Sequence, residues 1–105
     1  MPEICRQDDT LNTGHECDGT STLAAPGQTK VYAEDKLIAR LGDSTNSHNT
    51  QTGTDENGDP ICTPHTALIT GSSSKVYIAG VLVARKGDAV DAGTLTSGSS
   101  KVFAG

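Results

Sequence analysis

The residues best suited to chemistry are three histidines and a cysteine, and all four stand outside the apolar runs of the chain. His15 sits in Thr13-Gly14-His15, His48 in Asn46-Ser47-His48, and His65 closes Cys62-Thr63-Pro64-His65. A histidine serving the core would fall among the Val and Leu positions, whereas these fall where the backbone turns. Four N/S donors make a closed tetrahedral site, which suits a structural ion, zinc first and iron second. Such a set leaves no position free for the water that a catalytic zinc needs. His15, His48, Cys62 and His65 are therefore the expected metal ligands, with Cys62 and His65 the best-fixed pair. Cys17, two residues from His15, can in principle replace any one of them. Cys5 is expected either as a small buried hydrophobe or, in an oxidising compartment, as a disulfide partner for Cys17.

Other chemistry is poorly supplied. The serines at 72–74 and 97–100 lack the base and orienting group that a serine nucleophile requires. Gly42-Asp43 and Gly87-Asp88 offer neither the regularly spaced oxygens of a calcium loop nor the glycine-rich turn opening a helix that cradles phosphate. Arg40 and Arg85 each precede an aspartate by three residues, so an ion pair with that aspartate, or with a neighbouring strand, is the simplest role for both. No catalytic residue is assigned, and the chain is read as a non-enzyme.

The elements that must position these groups come from a repeat. Lys30-Val31-Tyr32 followed by Leu37-Ile38-Ala39-Arg40-Leu41-Gly42-Asp43 returns as Lys75-Val76-Tyr77 followed by Leu82-Val83-Ala84-Arg85-Lys86-Gly87-Asp88, and its first half returns again as Lys101-Val102-Phe103-Ala104-Gly105. Short β-branched or aromatic runs on either side of Glu34-Asp35 and of Ala79-Gly80 predict two hairpins. Gly, Pro and Thr interrupt every window of helical periodicity. The fold is expected to be all-β, with residues 45–61 and 89–98 as linking segments and a turn at Asn57-Gly58-Asp59-Pro60. A repeat unit cannot bury its apolar face alone, so two and a half copies predict packing around a shared axis, with the three Lys-Val-aromatic strands pointing to pseudo-threefold symmetry.

Composition bounds the rest. At 105 residues the chain suits one domain spanning 1–105. Leu, Ile, Val and Phe number 19, with one Phe, two Tyr and no Trp, so the interior is small and a staple such as a metal, a disulfide or a partner is expected. A net charge of −5, without a basic cluster or aromatic platform, argues against a nucleic-acid partner. It argues equally against a membrane-surface anchor. No hydrophobic run approaches the ~18 residues of a membrane span, and the polar stretch from Glu3 to Asp9 lacks the apolar core of a signal peptide. The protein is expected to be made in the cytoplasm.

Taken together, Ala39-Arg40-Leu41-Gly42-Asp43-Ser44-Thr45-Asn46-Ser47-His48, Cys62-Thr63-Pro64-His65, Gly71 to Gly80 and Ala84-Arg85-Lys86-Gly87-Asp88 resemble the PAAR-repeat family over about residues 13–105. That family carries repeated [PA]-A-R-x-G-D elements, a G-S-x-x-V-x-I-x-G strand and scattered His/Cys ligands. This chain has Ile38 and Val83 before Ala-Arg, and Ala79-Gly80 and Glu34-Asp35 in place of the usual Asn-Gly turn. The resemblance implies a small cone with a metal held near its point by three histidines and a cysteine. It also implies a flat base that caps a trimeric β-helical spike, one chain per trimer, at the tip of a contractile phage tail or type VI secretion system, meeting a target membrane only in passing. Nothing follows the third strand, so a bare tip without an effector domain is expected. Two rival readings are a free-standing zinc-binding adaptor that recruits a soluble partner and a small metallohydrolase.

Overall fold

A computed structural model describes residues 2–72 and 75–104; of the serines at 72–74, Ser73 and Ser74 lie outside the described residues. The described chain is all-β, without a helix. Its strands are β1 (Thr10–Asn12), β2 (Thr20–Thr22), β3 (Tyr32–Ala33), β4 (Lys36–Leu37), β5 (His48–Thr54), β6 (Pro60–His65), β7 (Tyr77–Ile78), β8 (Val81–Leu82), β9 (Ala89–Val90) and β10 (Gly93–Thr94). They pair in sequence order as five antiparallel hairpins. The hairpins β3–β4 and β7–β8 are the two expected from the repeat. Their central residues, Glu34 and Asp35 (φ 50° and 67°) and Ala79 and Gly80 (φ 51° and 80°), are all left-handed, as a two-residue turn matched to strand twist demands.

Three copies of one unit close around an axis. The backbone N–H of Cys5 donates to the carbonyl of Ala84, that of Ala84 to Ala39, and that of Ala39 to Cys5, at 3.0, 2.9 and 3.0 Å. Each of these residues precedes an Arg-x-x-Asp turn: Arg6 to Asp9, Arg40 to Asp43 and Arg85 to Asp88. In all three the arginine N–H donates to the aspartate carboxylate at 2.7 Å, and the aspartate N–H returns to the arginine carbonyl at 3.0 Å. The third turn position is left-handed in each, at Asp8, Gly42 and Gly87. Glycine enters that region freely, and aspartate is among the few other residues that tolerate it.

The sequence shows the third unit only in part because its two halves lie at opposite ends of the chain. Lys101-Val102-Phe103 supplies the first strand and Glu3-Ile4 the second: Glu3 bridges Phe103, and the Ile4 N–H donates to Val102 at 2.9 Å, as Ile38 does to Val31 and Val83 to Val76. With Cys5 for alanine and Asp8 for glycine, this copy hides from a comparison of residue types.

Small buried side chains stack along the axis in layers. Ile4, Ile38 and Val83 pack with Ala33 and Ala104 near the hairpin turns. Cys5, Ala39 and Ala84 form the next layer, continuous with Leu11, Leu23, Ile69, Val90 and Leu95. The last layer is again threefold, since the N–H groups of Leu23, Ile69 and Leu95 donate to the carbonyls of Asp9, Asp43 and Asp88, each at 2.9 Å. Ala, Cys and β-branched residues suit positions where three backbones converge, because a larger side chain would hold the strands apart. Beyond this body the symmetry ends. The segments expected as links contain β5, β9 and β10. The first runs out with β6 as a largely exposed hairpin turning at residues 55–59, which includes the expected Asn57-Gly58-Asp59 turn.

Candidate metal centre

Four side chains meet where the body gives way to the long hairpin: His15, His48, His65 and Asp91. His48 opens β5 and His65 ends β6, and the two are direct register partners. Side chains opposite one another on an antiparallel pair share a face, so this pairing alone brings the two rings together. His15 arrives on the loop between β1 and β2, and Asp91 on the two-residue turn between β9 and β10. These two are locked together by close backbone contact. A Cβ on Gly14 would lie 2.1 Å from the Ala92 carbonyl oxygen, and one on Gly93 would lie 2.0 Å from that of Asn12, so neither position admits a side chain without moving the other loop. The Ala92 N–H donates across the same seam to Thr13 at 2.9 Å.

The donor atoms form a compact tetrahedron. The Nε2 atoms of His15, His48 and His65 lie 3.2, 3.0 and 2.8 Å apart, and Asp91 Oδ2 lies 2.8, 2.8 and 3.3 Å from them in the same order. An ion bound at zinc–nitrogen distances gives ligand–ligand edges of about 3.3 Å, so these six edges match that shape, slightly contracted. Orientation is set from the far side of two rings. His15 Nδ1 donates to the Glu16 carbonyl and His48 Nδ1 to the Asn46 carbonyl, each at 3.0 Å. A proton on Nδ1 leaves Nε2 with a lone pair. Several lone pairs and a carboxylate then face one point, and a cation there relieves their mutual repulsion. The group could hold a metal ion.

Burial pulls the pKa of His15 down, but hydrogen bonds to the Glu16 carbonyl and to Asp91 outweigh it and raise it above the usual imidazole value. Burial likewise pushes Asp91 up, and its contacts with His48 and His15 overcome this to hold it below the ordinary carboxylate range.

The three expected histidines come together here, whereas Cys62 does not join them. Its sulfur is bonded to that of Cys17, which corrects its expected place in the ligand set and leaves Cys5 with the first of its two expected roles, a small buried side chain. The reason lies in strand geometry. Cys62 and His65 are three residues apart on β6, and a period of two puts such residues on opposite faces. His65 therefore faces the cluster while Cys62 faces the loop that carries Cys17, where Cys17 bridges Thr50 on β5. Cys5 is buried and free, its thiol donating to the Ser97 carbonyl at 3.1 Å.

Asp91 was missed because, in a segment read as a link, it resembled any other of the thirteen acidic residues. Extending the repeat three residues beyond Gly-Asp would have found it. That extension aligns Asp91 with Asn12 and Asn46, each two or three residues before a clustered histidine. Arg40 and Arg85 stand near their expected aspartates, at 3.9 and 3.8 Å. Neither a scan of protein-family models nor a search of curated proteins returns a match to this chain.

Proposed function

We propose that the protein is a non-enzymatic spike tip of the PAAR-repeat kind, capping a trimeric β-helical spike of a phage tail or secretion system. One observation carries this reading. The hairpin end of the body offers the same apolar step three times, as Val31-Tyr32, Val76-Tyr77 and Val102-Phe103, with the aromatic residues 58, 62 and 45% exposed. Large apolar side chains repeated around an axis and left in solvent mark a docking face, and a true threefold is the partner that meets all three at once. With the β5–β6 hairpin included, the molecule extends 48 × 24 × 21 Å. In this reading His15, His48, His65 and Asp91 hold a structural zinc ion, which when bound cross-links the loops at the other end.

The test is stoichiometry. Mixed with a trimeric β-helical spike domain and weighed by native mass spectrometry, the chain is expected to form a complex of one chain per trimer. Three chains per trimer, or no complex with any such spike, overturns the reading. Binding of a soluble, non-trimeric partner through the exposed β5–β6 hairpin instead supports the adaptor.

A further inference from the structure

The three units are alike enough that the places where they differ carry information. Two of the Arg-x-x-Asp arginines, Arg6 and Arg40, lie beside the hairpin turn of the next unit. In the first case Glu34 places its carboxylate between Arg6, whose Nη1 is 3.8 Å from Oε1, and the Ser99 hydroxyl, which donates to it. The Ser99 hydrogen bond above all, acting against partial burial, and then Arg6 and the Lys101 backbone N–H hold the Glu34 carboxyl below the ordinary range. This berth is built for a carboxylate and holds one.

In the second case the arginine is Arg40 and the turn residue is Ala79. Glu34 and Ala79 share a backbone conformation, φ 50° and 51°, so what differs is the missing carboxylate. In its place is a hollow of about 430 Å³ bordered by Gln28, Lys30, Val31, Arg40, Ile78 and Ala79. Arg40 is also less engaged than Arg6. Asp9 accepts from both Nε and Nη2 of Arg6 at 3.0 and 3.1 Å. Asp43 instead accepts the backbone N–H groups of Arg40 and Gly27 at 2.7 and 3.0 Å and stands 3.9 Å from Arg40 Nε. That Nε is buried without a hydrogen-bond partner, while Nη1 donates to the Ile78 carbonyl at 3.3 Å. Arg40 and Lys30 both border the hollow, so a carboxylate entering it meets two positive charges.

We propose that this hollow is a socket for one carboxylate, carried by an acidic side chain of a second protein and held by Arg40 and Lys30. Gln28, which accepts the Lys30 and Val31 N–H groups as Ser99 accepts those of Lys101 and Val102, stands where the hydroxyl stands in the first case. The apolar walls of Val31 and Ile78 favour a side chain over a free organic acid, which is the other source of the same group. The socket requires neither a bound ion nor a trimeric partner, so its failure and the failure of the spike-tip reading are separate results.

The test is a titration of the whole chain followed by NMR at constant ionic strength. The probes are N-acetyl-glutamate N-methylamide, the matching glutamine derivative, and sodium acetate. The glutamate probe is expected to shift the Arg40 Nε–H and Ala79 amide signals saturably and several-fold more tightly than acetate, and the glutamine probe is expected to leave them in place. In Ala79→Glu, which supplies its own carboxylate, the response is expected to vanish, and the variant is expected to melt higher than Ala79→Gln at neutral pH but not at a pH where glutamate is protonated. Equal binding of acetate and the glutamate probe overturns the assignment to a protein side chain. No saturation, equal shifts with the glutamine probe, or equal melting of the two variants at neutral pH overturns the socket itself. Should both variants fail to fold, the wild-type titration decides alone.

Discussion

In the body of the molecule each essential contact is made three times; at the histidine end nothing is made twice. The Cys5–Ala39–Ala84 ring, the Arg-x-x-Asp turns and the Leu23–Ile69–Leu95 layer all repeat around the axis, so each unit leans on the other two. The other end depends on single ties: one four-residue cluster, one disulfide and one long hairpin whose strands pair with each other and, at Thr50, with Cys17. Short strands with few apolar side chains can be held by burial shared among equivalent units, or by cross-links that act without burial. The two ends use one solution each, so damage should spread differently from each.

The largest difference is expected at the cluster. A structural zinc contributes on the order of 10 kcal/mol of apparent binding energy, and His48→Ala removes the most buried of the four groups. Metal content of the purified protein is expected to fall from about one ion per chain to nearly none. Hydrogen exchange is expected to rise in β5, β6 and the loop of His15, while the ring amides of Cys5, Ala39 and Ala84 stay protected. Exchange rising equally in the ring would break the contrast between the two ends. A wild-type protein that folds without metal would remove the cluster's role altogether. Acid should act as the substitution does, because imidazole and carboxylate must be unprotonated to bind the ion.

A smaller effect is expected at the disulfide. Closing a loop across 45 residues contributes about 4 kcal/mol in the chain-entropy account. Some of that overlaps with the ion, which would tie His15 to His65 across nearly the same span. The double substitution Cys17→Ala/Cys62→Ala should therefore destabilise chelated protein more than metal-loaded protein, as read by denaturant midpoint. With His15, His48, His65 and Asp91 as donors the double variant is expected to keep its ion, whereas loss of the ion would mean that the disulfide is needed to hold the four donors together.

How far the sequence foretold each region follows from the same contrast. Repetition is visible in residue types, so the hairpins at Glu34-Asp35 and Ala79-Gly80, the all-β class and the threefold arrangement could be read from Lys-Val-aromatic and Ala-Arg-x-Gly-Asp alone. The repeat fails to announce itself only where Cys5 and Asp8 replace alanine and glycine and the unit is divided between the chain ends. The cluster has no repeat to betray it. Its histidines are recognisable by type, being few and placed in turns, but which fourth group joins them depends on strand faces. Cys62 looked close to His65 in sequence and is turned away by the alternation of β6. Asp91 looked remote and is brought in by the interlocked glycines 14 and 93, a contact between segments nearly eighty residues apart.

The smallest of these effects is expected in the body, and it is where the spread of damage tests the comparison most directly. Leu23 is fully buried in the layer it shares with Ile69 and Leu95, and Leu23→Ala should cost about 3 kcal/mol through lost transfer energy and the cavity left behind. That is less than the cluster is expected to contribute, yet it should be felt everywhere. The Leu23 N–H and carbonyl tie Asp9 and Asp8 into the first turn, and that turn feeds the ring on which all three units close. Loosening one unit therefore lowers the stability of the whole, and exchange in the ring, in β5 and in the loop of His15 should rise by one common factor while the metal content of the folded protein stays near one ion per chain. A response confined to the residues around Leu23 would mean that the units stand independently, and that the repetition is a matter of ancestry and not of shared stability.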